Sequence, residues 1–386
     1  MERRRFIVKA GGALVAAGAA AVVDAPNVIA QPKFQWRMAT SWTPALDVLQ
    51  GNAQRYAKMV DDMSGGRLKI QVYAAGELIP AFGVFDACSQ GTLEMYNSAA
   101  YYWAGKEAAC QWFTGVPFGM NPKGQYDWYY YGDGIKLWEE AYAPFNLVPR
   151  PSASTGVQMG GWYRKRINTI ADYKGLKFRM PGLGGKVIAK AGATVVLTPG
   201  GEIYTALERG VIDGSEWVGP HDDMKLGLHQ TARYYYYPGW HEPGTTGEFV
   251  FNKKVYEGLP VDIQRILDYA CTAMHTLELG EYDYKNIIAL QKLRTEFKSK
   301  VEILAFPRPV VNEMRKFSAE VNKEESEKTA IARKTYESYN KFQKGLAPWD
   351  VMSESAFHNL ISFVDDMAPP RPAAPAAKPA TPAPKK

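Results

Sequence analysis

The side chains most often recruited for catalysis are sparse in this sequence. Cys88, Cys110 and Cys271 form an odd set with no CxxC pair, so neither a disulfide framework nor a cysteine zinc site is suggested. His221, His229, His241, His275 and His358 are dispersed, and a catalytic or metal-binding histidine needs positioned partners. Each therefore reads as an ordinary surface or packed histidine. Gly182-Leu183-Gly184-Gly185-Lys186-Val187 holds only part of a dinucleotide-binding loop and puts Val187 where the last glycine should stand. It reads as a turn before a helix. The chain has no phosphate-binding loop, HExxH helix or GxSxG nucleophile turn. Arg179 suits binding better than bond-making, because its planar fork can donate two parallel hydrogen bonds to a carboxylate and stays charged at any physiological pH. Taken alone, it reads also as a surface arginine at a strand end.

The elements that must position such residues follow from periodicity. Phe34 to Thr40 alternates as a strand, residues 46–64 carry apolar positions at helical spacing up to Gly65-Gly66, and Leu68 to Tyr73 alternates again. Strand, helix and strand with short joins predict an α/β lobe with largely parallel pairing. The pattern repeats over 79–97. A small, polar stretch near 149–155 precedes a second series, with strands expected at 157–162, 176–180 and 194–197 and helices at 185–191 and 201–209. Residues 249–252 give one more strand, so the chain is expected to change lobes near 153 and 247. From 261 to about 298 one helical pattern persists, longer than a usual globular helix and able to brace both lobes. A further helix is expected over 310–342, its second apolar stripe requiring either the protein's own body or a second subunit.

The two ends carry the chain's net charge of +6. Residues 1–30 read as a twin-arginine export signal: Arg3, Arg4 and Arg5 precede an apolar stretch over 13–23 that is too short for the roughly 20 residues needed to cross a bilayer. Val28-Ile29-Ala30 is an acceptable cleavage site before Gln31. The alternative is a retained anchor. The signal contributes +2 and residues 368–386 contribute +4, which leaves the part between them neutral and gives no reason to expect nucleic-acid binding. The tail is Pro, Ala and Lys with no large apolar residue, so it is expected to be disordered.

Three segments resemble the substrate-binding proteins of TRAP transporters. Asp172-Tyr173-Lys174-Gly175-Leu176-Lys177-Phe178-Arg179-Met180 is similar to a family segment whose arginine closes a strand and faces the cleft between lobes. Residues 206–214 with Glu216-Trp217 resemble a second family stretch, and Tyr73-Ala74-Ala75-Gly76-Glu77-Leu78 resembles a third. The matches run in the family's order through nearly all of the chain after the signal. The resemblance implies an α/β, two-lobed periplasmic-binding-protein (Venus-flytrap) fold with a long bracing helix and C-terminal helices. Its divisions would be lobe I at 31–152 plus about 247–275, lobe II at 153–246, the brace at 261–299 and C-terminal helices at 308–367, where a homodimer could form.

Within that family, Gln158, Glu216, Trp217 and Glu242 look like the branch that binds 2-oxo acids or lactate with a cation. The resemblance then implies a substrate set of Arg179, Gln158, Trp217, Glu242, Tyr101 and Asp213. The metal ligands would be the side chains of Gln158, Glu216 and Glu242 and the Trp217 carbonyl. Two facing glutamates would raise each other's pKa unless a cation lay between them, and oxygen ligands suit calcium or sodium. Arg179 and a divalent ion would balance two glutamates and a ligand carboxylate, which favours calcium. Tyr101, Tyr102 and Trp103 from the first lobe and Trp217 from the second would wall a dry pocket for a short aliphatic chain. Ligand and cation would bias the lobes toward closure, the form a membrane permease recognises. The same receptor role for a dicarboxylate, aromatic acid or sugar acid is the alternative ligand reading, and a periplasmic enzyme is the alternative class.

Overall fold

The computed structural model describes residues 34–360. The expected signal at 1–30, the tail at 368–386 and the end of the C-terminal region lie outside them. Alternation sets the first strand: in β1 (Phe34–Thr40) Trp36 and Met38 turn inward while Arg37 stays out and pairs with Glu94. The other strands are β2 (Leu68–Tyr73), β3 (Met95–Ser98), β4 (Leu147–Gly156), β5 (Gly161–Tyr163), β6 (Lys177–Arg179), β7 (Thr194–Val196), β8 (Gly214–Ser215), β9 (Tyr234–Tyr237), β10 (Thr245–Asn252) and β11 (Glu302–Ala305). They form two sheets, in the orders β2-β1-β3-β10-β4 and β11-β9-β5-β8-β6-β7. In the first, β1 lies parallel to β2 and β3, while β10 runs antiparallel to β3 and β4. The second is also mixed, with β6 parallel to β7 and β8 and with β5 antiparallel to β8 and β9.

β4 and β10 carry the chain from the first sheet to the second. Their register shifts at Thr245/Thr246 and Gly247/Glu248, and such irregularities bend a strand where it leaves regular pairing. Both strands stay in the first sheet past the positions expected to be crossovers, since β4 runs to Gly156 and β10 begins at Thr245. The passages between sheets are therefore the segments 157–160 and 238–244. The long helix supplies a third passage, because it leads into β11, a four-residue strand that joins the second sheet beside β9. Too short to show a period, β11 escapes detection in the sequence.

That helix spans Val261–Thr295, 35 residues or about 50 Å. Ile263, Leu267, Ala270 and Met274 bury against the first sheet, and Tyr282 and Leu293 bury with residues of the second. Where one helix was expected over 310–342, the structure has two, Arg308–Ser326 and Ala330–Asp350. The break falls at the end of the charged interval. There the Thr329 hydroxyl accepts the Ala332 N–H at 3.1 Å and starts a new helix. The second helix lays Ala332 and Tyr339 into the main core, with Ile331, Tyr336, Phe342 and Leu346 packed around them, so the protein's own body covers this stripe. Among the described residues no helix is long and apolar enough to cross a membrane, and the three cysteines are free and buried.

Candidate functional site

Parallel pairing of β6 with β8 brings two charges to one place. Arg179 stands opposite Ser215, so Glu216 emerges beside the guanidinium, and its N–H donates to the Arg179 carbonyl at 3.3 Å. Gly161 makes room for this: at φ 106° a side chain would be strained, and a Cβ there would lie 3.0 Å from the Ser215 carbonyl oxygen and 3.2 Å from Glu216 Cβ. Gln158 and Glu242 come from the two passages between sheets, and those passages bond to each other. The Gln158 N–H donates to the Glu242 carbonyl at 3.2 Å, and the Gly239 N–H to the Gln158 carbonyl at 2.8 Å.

Arg179, Glu216, Glu242 and Gln158 are all nearly solvent-free. Arg179 Nη1 donates to a Glu216 carboxylate oxygen and, at 3.3 Å, to the Glu216 carbonyl, and Nε donates to the Thr198 carbonyl at 3.2 Å. Nη2 has only the Tyr102 hydroxyl at 3.5 Å. The guanidinium thus spends Nη1 on Glu216 and leaves Nη2 with a single long contact. Its face lies 5.1 Å from the Trp217 ring centre, and Trp217 meets Trp42 edge-on.

His241 joins this group, although the sequence reads it as an ordinary histidine. Its Nε2 lies 3.3 Å from Glu216 Oε2, and ligand atoms of Glu216, His241 and Glu242 all fall within 4.8 Å of one another. Burial draws the imidazole down to about 4, so it is neutral. Burial pushes Glu216 up to about 7 against the pull of Arg179. Burial and then the charge of Glu216 push Glu242 up to about 7 as well. Glu242 accepts from the Thr245 hydroxyl at 2.6 Å, and Gln158 Nε2 donates to the Thr155 hydroxyl at 3.1 Å. Gln158 Oε1 and His241 Nδ1, both buried, have no partner. A buried amide oxygen without a donor, beside two carboxyls whose ionisation is suppressed, makes an oxygen-rich donor set that fits a hard cation.

Beside this set lies a small cavity of about 30 Å³, walled by Trp42, Leu49, Tyr101, Tyr102, Trp217 and Val218 and reaching Gln158 and Glu278. Tyr101 comes from the first sheet's side and presses against Gly182 on the second's, where a Cβ would lie 2.8 Å from the ring. Two expectations need correction. Trp103 is not a wall, because its indole turns into the core and donates to Glu248 at 2.7 Å. Asp213 is not in the site either. Its carboxylate accepts the Lys177 N–H at 2.9 Å at the start of β6, the end of that strand away from Arg179, and its backbone ties to Lys177 and Arg164. It latches two strands together. Thr155 and Thr245 line the cavity but were not singled out in the sequence, whereas Tyr102, expected as a wall, does line it; His241, next to Glu242, had adjacency as its only signal.

Two α/β units closed on a mostly apolar cavity with buried charges define a solute receptor. The family model for bacterial extracellular solute-binding protein, family 7 (DctP) matches residues 38–329, and the chain belongs to this family of TRAP-transporter receptors, which are periplasmic and are not enzymes. It is 41% identical over 331 residues to a monocarboxylate 2-oxoacid-binding periplasmic protein of Nostoc sp. PCC 7120, covering 86% of this chain and 90% of that one. A TRAP solute-binding protein of Pseudoalteromonas atlantica, solved with sodium and pyruvate, superposes with a TM-score of 0.82 at 40% identity, covering 85% of this chain and 99% of the other. One of Colwellia psychrerythraea, solved with calcium and pyruvate, gives 0.82 at 38% identity with the same coverage.

Proposed function

We propose that the protein captures a small 2-oxo or 2-hydroxy monocarboxylate, of the pyruvate, 2-oxobutyrate or lactate class, together with calcium or sodium, and delivers it to the membrane permease of a TRAP transporter. The observation that carries this reading is the buried set of Arg179, Glu216, Glu242 and the unpartnered Gln158 Oε1 beside an apolar cavity. Gln158, Glu216, Glu242 and the Trp217 carbonyl would hold the cation, which supplies the positive charge that lets both glutamates ionise and binds the ligand's oxygens. Arg179 offers its Nη2 arm to the ligand carboxylate, and Tyr101, Tyr102, Trp42 and Trp217 exclude water from the short chain. The relatives that bind pyruvate or 2-oxoacids support the ligand class.

Gln158 and Glu242 sit on the two passages between the sheets, so a ligand and ion held there favour the closed arrangement of lobes divided near 157–160 and 238–244. Calorimetric titration with a panel of acids, with and without a chelator, tests the reading. Tight binding of a 2-oxo monocarboxylate that chelation abolishes is expected, and affinity indifferent to chelation for every monocarboxylate overturns it. The three consecutive arginines at 3–5 support export by the twin-arginine route; loss of export on Arg4→Lys with Arg5→Lys tests this. Trp349, Val351, Met352, Phe357 and Leu360 stand exposed at the end of the C-terminal helices and support a homodimer there. Light scattering that finds only monomer removes the dimer.

A further inference from the structure

The long helix buries one acid where its apolar stripe should continue. Glu278 lies one turn beyond Met274 and one before Tyr282, is 1% exposed, and lines the cavity. One of its carboxyl oxygens takes the Asn52 amide N–H, and the other, Oε1, is buried without a partner. The groups that act on it are Asp222, Asn52, Glu281 and Arg55, and none of these belongs to the set around Arg179. The Arg55 guanidinium is committed to Glu281, and no lysine or arginine lines the cavity. A buried polar atom without a partner costs stability unless something fills the role, and here the cavity is what adjoins it.

We infer that Glu278 is a specificity residue that hydrogen-bonds a hydroxyl on the far end of the ligand's chain, so that the preferred solute is a hydroxylated short 2-oxo acid. This rests on the proposed acid-binding reading and adds a second polar contact to it. Burial, reinforced by the charge of Asp222, raises the Glu278 carboxyl well above the ordinary range, which favours its protonated form, and a protonated carboxyl can both donate and accept. A hydroxyl complements such a group. A second carboxylate on the ligand does not, because it would be desolvated with no free cation to meet it, and this disfavours a dicarboxylate.

The test is calorimetry in calcium with pyruvate, 2-oxobutanoate and 4-hydroxy-2-oxobutanoate, on wild type, Glu278→Gln and Glu278→Leu. Wild type should bind the hydroxylated acid about tenfold more tightly than its deoxy counterpart. Glu278→Gln should keep that order, and Glu278→Leu should abolish or reverse it while still binding pyruvate. Equal affinity of wild type for the two four-carbon acids overturns the inference, as does a hydroxyl preference that survives Glu278→Leu. With pyruvate bound normally, either result leaves the acid-binding reading standing. Failure of wild type to bind pyruvate or either four-carbon acid removes that reading and this inference with it.

Discussion

Two buried glutamates six positions apart differ in what surrounds them. Glu248, on β10, accepts hydrogen bonds from the Tyr96 hydroxyl at 2.9 Å, the Trp103 indole at 2.7 Å and the Tyr142 hydroxyl at 2.8 Å. Glu242, just before β10, has only the Thr245 hydroxyl as a donor to its carboxylate and, around it, a second carboxyl and a neutral imidazole. Burial pushes both up to about 7. Burial and a raised pKa therefore do not separate a strut from a binding site. What separates them is whether the protein itself satisfies the polar atoms.

Removing the guanidinium should have the largest effect. Arg179→Ala leaves Glu216 buried without its paired guanidinium and removes the arginine proposed to meet the ligand carboxylate, so binding should become undetectable by calorimetry. Glu216→Ala and Glu242→Ala should each weaken binding by about 2 to 5 kcal/mol, the range for breaking a buried charge set. The residual affinity should no longer respond to a chelator. Wild-type affinity in either variant would contradict the assignment. Glu248→Gln, by contrast, should leave affinity unchanged.

Glu248 should reveal itself through stability instead. Its folded pKa of about 7 lies above the ordinary 4.5, so the native state holds this proton more tightly than the unfolded chain does. The stability this confers is fully present below about 4.5, declines as pH rises and is gone above about 7. At 1.36 kcal/mol per pKa unit the change amounts to roughly 3 kcal/mol. Because Glu248→Gln cannot titrate, its stability relative to wild type should improve by that order between pH 4.5 and 8 in urea unfolding. A difference that stays flat across this window would mean that the three donors hold Glu248 ionised throughout.

Legibility in the sequence followed the range of the signal. Elements with a clear period, such as β1, β2 and the long helix, could be read directly, whereas β8 and β11 have two and four residues and show no period. The segments that resemble the family include Arg179, Glu216 and Trp217, and the fold brings these together with Gln158 and Glu242. His241 and Glu278 could not be ranked, because a histidine among five and a glutamate in a long helix acquire meaning only from what they face. Trp103 and Asp213 show the opposite error: each lies within three residues of a residue at the site, yet Trp103 is held by Glu248 and Asp213 by the Lys177 N–H, both away from it.

Asp213 gives the smallest and sharpest of these tests, since it separates proximity in sequence from participation. Its carboxylate serves the Lys177 N–H and touches neither the cavity nor the acid set. Asp213→Ala should lower unfolding stability by about 1 kcal/mol, the value of one partly exposed hydrogen bond, and should leave ligand affinity where it was. The measurement pairs urea unfolding with calorimetry on the same preparation. Lost affinity with unchanged stability would return Asp213 to the site. The expected reverse pattern would make it the surface counterpart of Glu248, an acid whose partners are all backbone or core and whose work is to hold two strands in register.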